Sequence, residues 1–361
     1  MPDSPKPLWP DTRLLDLFGL THPIIQAPMA GVSSTDMAIA AANAGCMGAL
    51  GCAMTPPSDL AKQLAQVARS TNGPVNFNFF VHQEPDIAGF DNTEIRKALQ
   101  PAYTAADLGE VPAPTAGASA FSDDILDILL ARPPKTVSFH FGLPKPHVIT
   151  ALKDRQVKLI GCATCVAEAK ALEAGGMDAI VAQGAEAGGH RGTFLGEPHL
   201  NDMGTMALVP LIADAVRVPV IAAGGIFDGR GIAAAFMLGA AGVQIGTAFM
   251  RATEATTHPL HKQALATSHD AQTRLTRLFS GRSARSLRNR LTDEWAHAEN
   301  ITAPFPAQRS LITPLAKAAL QAGSTDFHNL WSGQAGSRAA EQSTAEIIEH
   351  LVTSALTRLA R

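Results

Sequence analysis

The sequence predicts an α/β protein, a (β/α)8 TIM barrel that carries a smaller, mainly helical cap. Three observations predict it. Eight apolar runs of strand length recur along the chain, and most are followed by a helical pattern. The runs are continuous rather than alternating, as in parallel strands covered on both faces. Over 361 residues, 30 glycines, 46% apolar, 17% charged and 5% aromatic residues suit Ala/Gly/Val-rich α/β packing better than an all-β sandwich.

In chain order the expected strands are 23–27, 47–51, 75–80, 136–140, 158–162, 178–182, 218–222 and 242–246. Helical patterns follow at 146–155, 166–174, 204–216 and 229–239, the last opened by Asp228 as a cap. Strand–helix alternation implies a parallel sheet, and eight such units close a barrel. A doubly wound sheet is the alternative. It would want G-x-G-x-x-G after the first strand, which is missing, as is a Walker-type loop. Two stretches break the rhythm. Residues 84–122 are rich in Pro, Ala and Asp and read as a long excursion with little regular strand. Residues 255–340 are richer in Arg, Ser, His and Gln and show helical segments. The expected organisation is a barrel over 1–260 that includes the excursion, a smaller helical substrate domain over 261–338, and a helix over 339–361 that packs back on the barrel.

Charge and cysteine usage bound the function. Lys plus Arg total 29 against 32 Asp plus Glu, a net charge of −3, which argues against a nucleic-acid or polybasic membrane binder. The start, MPDSPKPLWPDTRLL, lacks the charged end and apolar run of a secretory signal. No stretch reaches the ~18 uninterrupted apolar residues of a membrane span. Cys46, Cys52, Cys162 and Cys165 make little sense as a disulfide framework at this size. A cytoplasmic protein is expected, a monomer or homodimer acting on a small molecule. Cys162-Ala-Thr-Cys165 has redox or zinc spacing, but Cys46 and Cys52 are spaced differently and do not complete a zinc set. These cysteines read as small packing residues, and no metal is expected.

In a barrel, function gathers where strands end at the carboxyl face. After the first strand, Gln26-Ala27-Pro28-Met29-Ala-Gly31 makes an irregular turn that is either an ordinary βα turn or a seat for a flat ligand. Asn78 interrupts an apolar strand, so its amide must find partners, either a heterocycle edge or backbone. His140 sits at a strand end between two Phe, as a core histidine or a ligand-facing one. Gln183-Gly-Ala-Glu-Ala-Gly188-Gly189-His190-Arg191-Gly192 is the sharpest local signal. Its glycines allow close backbone approach, and a His beside an Arg suits acid–base work near neutrality, unless the loop is merely flexible. The turns Ala223-Gly224-Gly225-Ile226 and Gln244-Ile245-Gly246-Thr247 follow the last two strands, where barrels hold phosphate on backbone N–H groups. Together these residues predict a barrel that binds a phosphate-bearing heterocycle beside a histidine.

The words PIIQAPMAGVS, VSFHFGLP, QGAEAGGHRGTF, AAGGIFDGRGIAAAFMLGAAGVQIGTAF, FSGRSARSLRNR and LWSGQ run from residue 23 to 334. With them the chain resembles the nitronate monooxygenase family, formerly 2-nitropropane dioxygenases, in its class I branch. The resemblance implies FMN at the barrel mouth. Ala27, Pro28 and Met29 would line the ring, and Asn78 and Gln183 would hydrogen-bond it. Gly188, Gly189, Gly224, Gly225, Gln244, Ile245, Gly246 and Thr247 would hold ring and phosphate. His190 would be the active-site base and His140 a second substrate-facing histidine. The implied reaction oxidises alkyl nitronates, such as propionate 3-nitronate, with O2 to a carbonyl compound and nitrite. Related flavin barrels share the glycine words, so an NAD(P)H-dependent FMN reductase of a quinone or enoyl thioester is the alternative. A non-redox barrel for a phosphorylated metabolite would need only the phosphate turns. Two departures stand out. The family word P-Y-P-x-Q reads Pro304-Phe305-Pro306-Ala307-Gln308 here, and Cys162-Ala-Thr-Cys165 replaces a more usual Gly-Ala-Thr-Val.

Overall fold

The computed structural model describes residues 8–117, 119–196 and 202–360. The first seven residues, Ala118, 197–201 and Arg361, which the expected domain ranges include, lie outside the described residues. Eleven strands are formed in chain order among the described residues. They are β1 (Ile24–Gln26), β2 (Gly48–Gly51), β3 (Val75–Phe80), β4 (Thr136–His140), β5 (Lys158–Ala163), β6 (Ala179–Gln183), β7 (Gly189–His190), β8 (Val220–Ala223), β9 (Gly242–Ile245), β10 (Thr273–Thr276) and β11 (Ala284–Leu287). Eight of them form one parallel sheet in the order β1-β9-β8-β6-β5-β4-β3-β2. Its two edges meet through the parallel bridge Ile25–Met47, with Gln26 N donating to Met47 O at 2.9 Å and Met47 N to Ile24 O at 3.0 Å. The sheet therefore closes into a TIM barrel.

Alternation along each strand divides the barrel's packing. Ile25, Ile160, Val181 and Ile221 point inward, where Leu14 and Phe18 of the helix Arg13–Phe18 join them. That helix stops the amino end of the barrel. Outward residues such as Ile24, Phe77, Val137, Leu159, Ile180 and Val243 pack against the surrounding helices. Glycine lets these layers touch. A Cβ on Gly48 would lie 1.9 Å from the Ala38 carbonyl oxygen, because helix Thr35–Asn43 rests directly on β2. The final helix, Thr344–Leu359, is started by a Ser343/Glu346 capping box and buries Ile347, Ile348 and Leu351 in the same core.

The excursion 84–122 contains helix Thr93–Ala105, whose Ile95, Leu99 and Tyr103 share a second core with Leu278, Phe279, Leu291, Trp295, Leu311 and Phe327. The Tyr103 hydroxyl donates to Leu311 O at 2.8 Å, and Trp295 Nε1 donates to Ala98 O at 2.8 Å. By packing, the excursion belongs with the cap. The cap is not all helical: β10, β11 and β7 make a small antiparallel sheet. In it Ala284 faces His190 and Arg285 faces Gly189, so the end of the Gly-rich loop after β6 is tied into a two-residue strand.

Candidate active site

The carboxyl ends of the barrel strands surround a cavity of about 410 Å³, within the usual range for small-molecule sites. Ala27, Pro28, Met29, Asn78, His140, Gln183, Gly188, Gly189, His190, Gly224, Gly225, Gln244, Gly246 and Thr247 all line it. Ile245 does not. It is 1% exposed and packs outward into the barrel–helix core, because its neighbour Gln244 takes the inward position. Ile245 reaches the site only through its carbonyl, which accepts from Ala27 N at 2.8 Å.

The walls are held by buried amides. Gln26 Oε1 accepts from Ala49 N at 3.0 Å and its Nε2 donates to Ser33 Oγ at 3.0 Å, which fixes the turn after β1. Asn78 donates to Ser138 Oγ at 2.8 Å, and its Oδ1 has no hydrogen-bond partner among the described residues. Gln183 is largely committed to the following loop. Its Oε1 accepts from Gly192 N at 2.8 Å and its Nε2 donates to His190 O at 2.9 Å, which leaves one amide hydrogen. Arg191 is a structural residue at 1% exposure, donating through Nη1 to Gln183 O at 2.7 Å and Gly184 O at 2.8 Å. The cap reaches in here: Gly333 N donates to Thr247 Oγ1 at 2.9 Å and Gln334 N to Glu186 O at 3.0 Å.

Three glycines present open backbone. A Cβ on Gly246 would meet only Ala27 Cβ at 3.4 Å and Met29 Sδ at 3.6 Å. On Gly225 (φ +69°) it would meet only the Glu186 side chain, at 3.4 Å and beyond, and on Gly189 (φ +71°) nothing within 4 Å. Open backbone after three neighbouring strands, β6, β8 and β9, fits a flat ring with an anionic tail. Asp228 closes the turn after β8 by accepting from Arg230 N at 2.9 Å.

His190 stands in an aromatic wall. Its ring centroid is 5.4 Å from Phe305, 5.3 Å from Trp331 and 5.8 Å from Phe141. Its Nε2 lies 2.8 Å from Ser280 Oγ, and that hydroxyl lies 3.2 Å from Arg282 O. A serine that donates to Arg282 O accepts from Nε2–H, which leaves the His190 Nδ1 lone pair free. Nδ1 has no hydrogen-bond partner among the described residues. Burial first, and then His140, Arg282, Arg309 and His82, push His190 down to about 3. Burial and then Arg282 push His140 down to about 4. Both rings are neutral at pH 7 and keep a lone pair, but lie well below the near-neutral range that the sequence suggests and are weaker bases than a free imidazole. Burial pushes the Cys162 thiol up to about 12, and Cys165 sits at the start of helix Val166–Ala174. The Cys162 thiol therefore stays protonated and unreactive at pH 7.

Sequence reasoning missed several wall residues. His82, Phe80, Ser280, Arg282, Arg309 and Trp331 carried no assigned role. Ser280, Arg282 and Trp331 lay inside recognised words, and His82 lies two residues past a strand end, a position that was itself a signal.

A closed barrel, an open-backbone seat and a histidine in an aromatic wall make the active site of a barrel enzyme that takes a small molecule. The nitronate monooxygenase family model matches residues 11–354. The chain belongs to the nitronate monooxygenase family, whose members are flavoenzymes. It is 36% identical over 354 residues to a probable nitronate monooxygenase of Staphylococcus haemolyticus, covering 98% of this chain and 99% of that one. A Staphylococcus aureus protein of the same description is 36% identical over 346 residues, covering 96% and 97%. Among solved structures, nitroalkane oxidase from Streptomyces ansochromogenes superposes with a TM-score of 0.87 at 36% identity, covering 96% and 99%. FabK from Thermotoga maritima superposes at 0.74 with 27% identity, covering 96% and 97%.

Proposed function

We propose that the protein oxidises alkyl nitronates, such as propionate 3-nitronate, with O2 to a carbonyl compound and nitrite, using FMN. The observation that carries the reading is the neutral His190, with its free Nδ1, beside a seat of open glycine backbone. FMN, when bound, supplies the electron-transfer chemistry with substrate and O2. Ala27, Pro28 and Met29 would line its ring, and Asn78 Oδ1 and the spare Gln183 hydrogen would meet its polar edge. Gly188, Gly189, Gly224, Gly225, Gln244, Gly246 and Thr247 would hold ring and phosphate. Ile245 contributes only by tying β9 to the turn at Ala27.

The rest is done by side chains of this chain. A nitronate is already an electron-rich anion, so the site needs chiefly to place it and to exclude water. Phe80, Phe305 and Trp331 supply the dry wall, with Phe141 packed against Phe80 and Phe305. With a neutral nitroalkane, His190 Nδ1 takes the α-carbon proton, and the C–H electrons remain on the nitro group. His140 faces the same space. The working unit is proposed to be a cytoplasmic monomer or homodimer. It comprises a barrel over 1–260, a substrate unit over 261–338 joined by the excursion 84–122, and a returning helix over 339–361. No helix of the described residues is long and apolar enough to cross a membrane.

The test is an anaerobic visible spectrum of the purified protein, one portion mixed with propionate 3-nitronate and one with NADH. A flavin spectrum that changes with nitronate and not with NADH is expected. Bleaching by NADH alone would instead favour an FMN-dependent reductase of a quinone or enoyl thioester.

A further inference from the structure

Arg282 lies behind the aromatic wall rather than in the cavity. Its guanidinium carbon stands 4.0 Å over the Phe141 ring and 5.8 Å from the Phe305 ring. One Nη donates to Thr193 O, and the buried Nε has no partner. No carboxylate forms an ion pair with it among the described residues. Glu168 acts on it only at a distance, because its oxygens already accept from Thr164, Phe194 and Leu195. A half-buried cation without a close counter-ion is costly to hold, and such costs persist where a site uses the charge.

Of the two rings in front of it, Phe305 lines the cavity that the substrate enters, and Phe141 packs against Phe305 with ring centroids 5.2 Å apart. The two legs through Phe141, 4.0 Å from Arg282 and 5.8 Å on to His190, bring the charge within about 10 Å of that ring. At such a range and an effective dielectric of ~20, one unit charge changes an equilibrium by about tenfold.

We propose that Arg282 determines specificity for preformed anionic nitronates over neutral nitroalkanes, by projecting positive potential through the Phe141–Phe305 wall onto the substrate and His190. The inference rests on the function proposed above. Its two effects separate by substrate. A nitronate arrives as an anion and is attracted. A nitroalkane must pass its α-proton to His190 Nδ1, which makes an anion and an imidazolium together. Arg282 favours the first charge and opposes the second, so its net help there is small. The ionisable groups acting on His190 are His140 from β4, His82 after β3, Arg282 before β11 and Arg309 on helix Gln308–Gln321, while Arg191 acts on His140.

The experiment compares holoenzyme of wild type, R282K and two neutral variants, R282Q and R282M, each checked for fold by near-UV circular dichroism. The value of kcat/KM is measured for propyl-1-nitronate and for 1-nitropropane at one pH. The neutral variants are expected to lose about tenfold on the nitronate and much less on the nitroalkane, while R282K keeps the wild-type ratio. Equal losses on both substrates, or an unchanged ratio, overturn the proposal. A wild type that oxidises no nitronate refutes the function and leaves this inference to a second readout that needs no turnover. That readout is the NMR titration of the His190 ring, assigned by its loss in H190N. Its midpoint should rise by about one pH unit in R282Q and stay low in R282K. An unmoved midpoint in R282Q overturns the electrostatic role.

Discussion

Replacing His190 with Asn separates chemistry from packing. The variant keeps a polar group near Ser280 Oγ, which now lies 2.8 Å from Nε2, but it offers no nitrogen that can take a proton at neutral pH. Structurally it loses one hydrogen bond and the ring contacts to Phe305 and Trp331, about 1–2 kcal/mol of stability. A positioned base contributes about 10²–10⁴ in rate, or ~3–5 kcal/mol of barrier. The expected result for 1-nitropropane is therefore a fall in kcat/KM of about 10²–10⁴. Preformed propyl-1-nitronate needs no base, and its loss should stay within about tenfold. Oxygen uptake and nitrite release, followed with both substrates under one set of conditions, give the comparison. Because His190 sits at about 3, the wild-type rate with nitroalkane should show no loss from His190 protonation between pH 7 and 5. Equal losses on the two substrates, or wild-type rates on both, would refute His190 as the base.

Other expectations follow from the same geometry. Gly225→Asp places an anion in the proposed phosphate turn, and Asp tolerates positive φ, so flavin absorbance per protein should fall at least about tenfold while the fold survives. Gly246→Val has room within the protein wall but fills the open seat; retained flavin would count against that seat. Gly48→Ala drives a methyl into the Ala38 carbonyl and should cost roughly 3 kcal/mol or more, read as the urea midpoint. His140, His190 and His261 are held at about 4, 3 and 4, below their ordinary 6.5. The unfolded chain therefore binds more protons than the folded one below pH 6.5. Stability should be full above pH 6.5 and fall steadily on acidification toward pH 4, by up to ~1.4 kcal/mol per pH unit for each histidine. A Tm flat between pH 7 and 5 would contradict this.

The barrel was legible because buried parallel strands read as unbroken apolar runs. Val75–Phe80 and Thr136–His140 fall where the sequence places them, and the other strands within two residues. Strands β10 and β11 escaped because TRLT and ARSL have no apolar run; they pair with each other, and β11 pairs with β7. Helix Thr93–Ala105 was hidden by Pro101 and a Pro-rich surround, yet its Ile95, Leu99 and Tyr103 bury one face. At the site, glycines and strand-end polar residues announced themselves by position. Ile245 came with the run Gln244 to Thr247 that the resemblance implies, and strand alternation turns its side chain outward, away from the cavity. Arg282 lay inside a recognised word, but its role was not legible there, since it depends on which rings stand before it and on the absence of a paired acid among the described residues.

One consequence concerns how such a barrel could be re-engineered. The main chain at His190 is continuous with β6, but its ladder partner is Ala284, which belongs to the cap. Cap and barrel are thus not interchangeable modules. A chimera that imports a foreign cap also imports a new neighbour for the His190 backbone, and with it a new aim for the ring. Loop grafts that spare β10 and β11 and the ring's partners Ser280, Phe305 and Trp331 would leave that aim untouched, so substrate range and histidine placement can be varied separately only there.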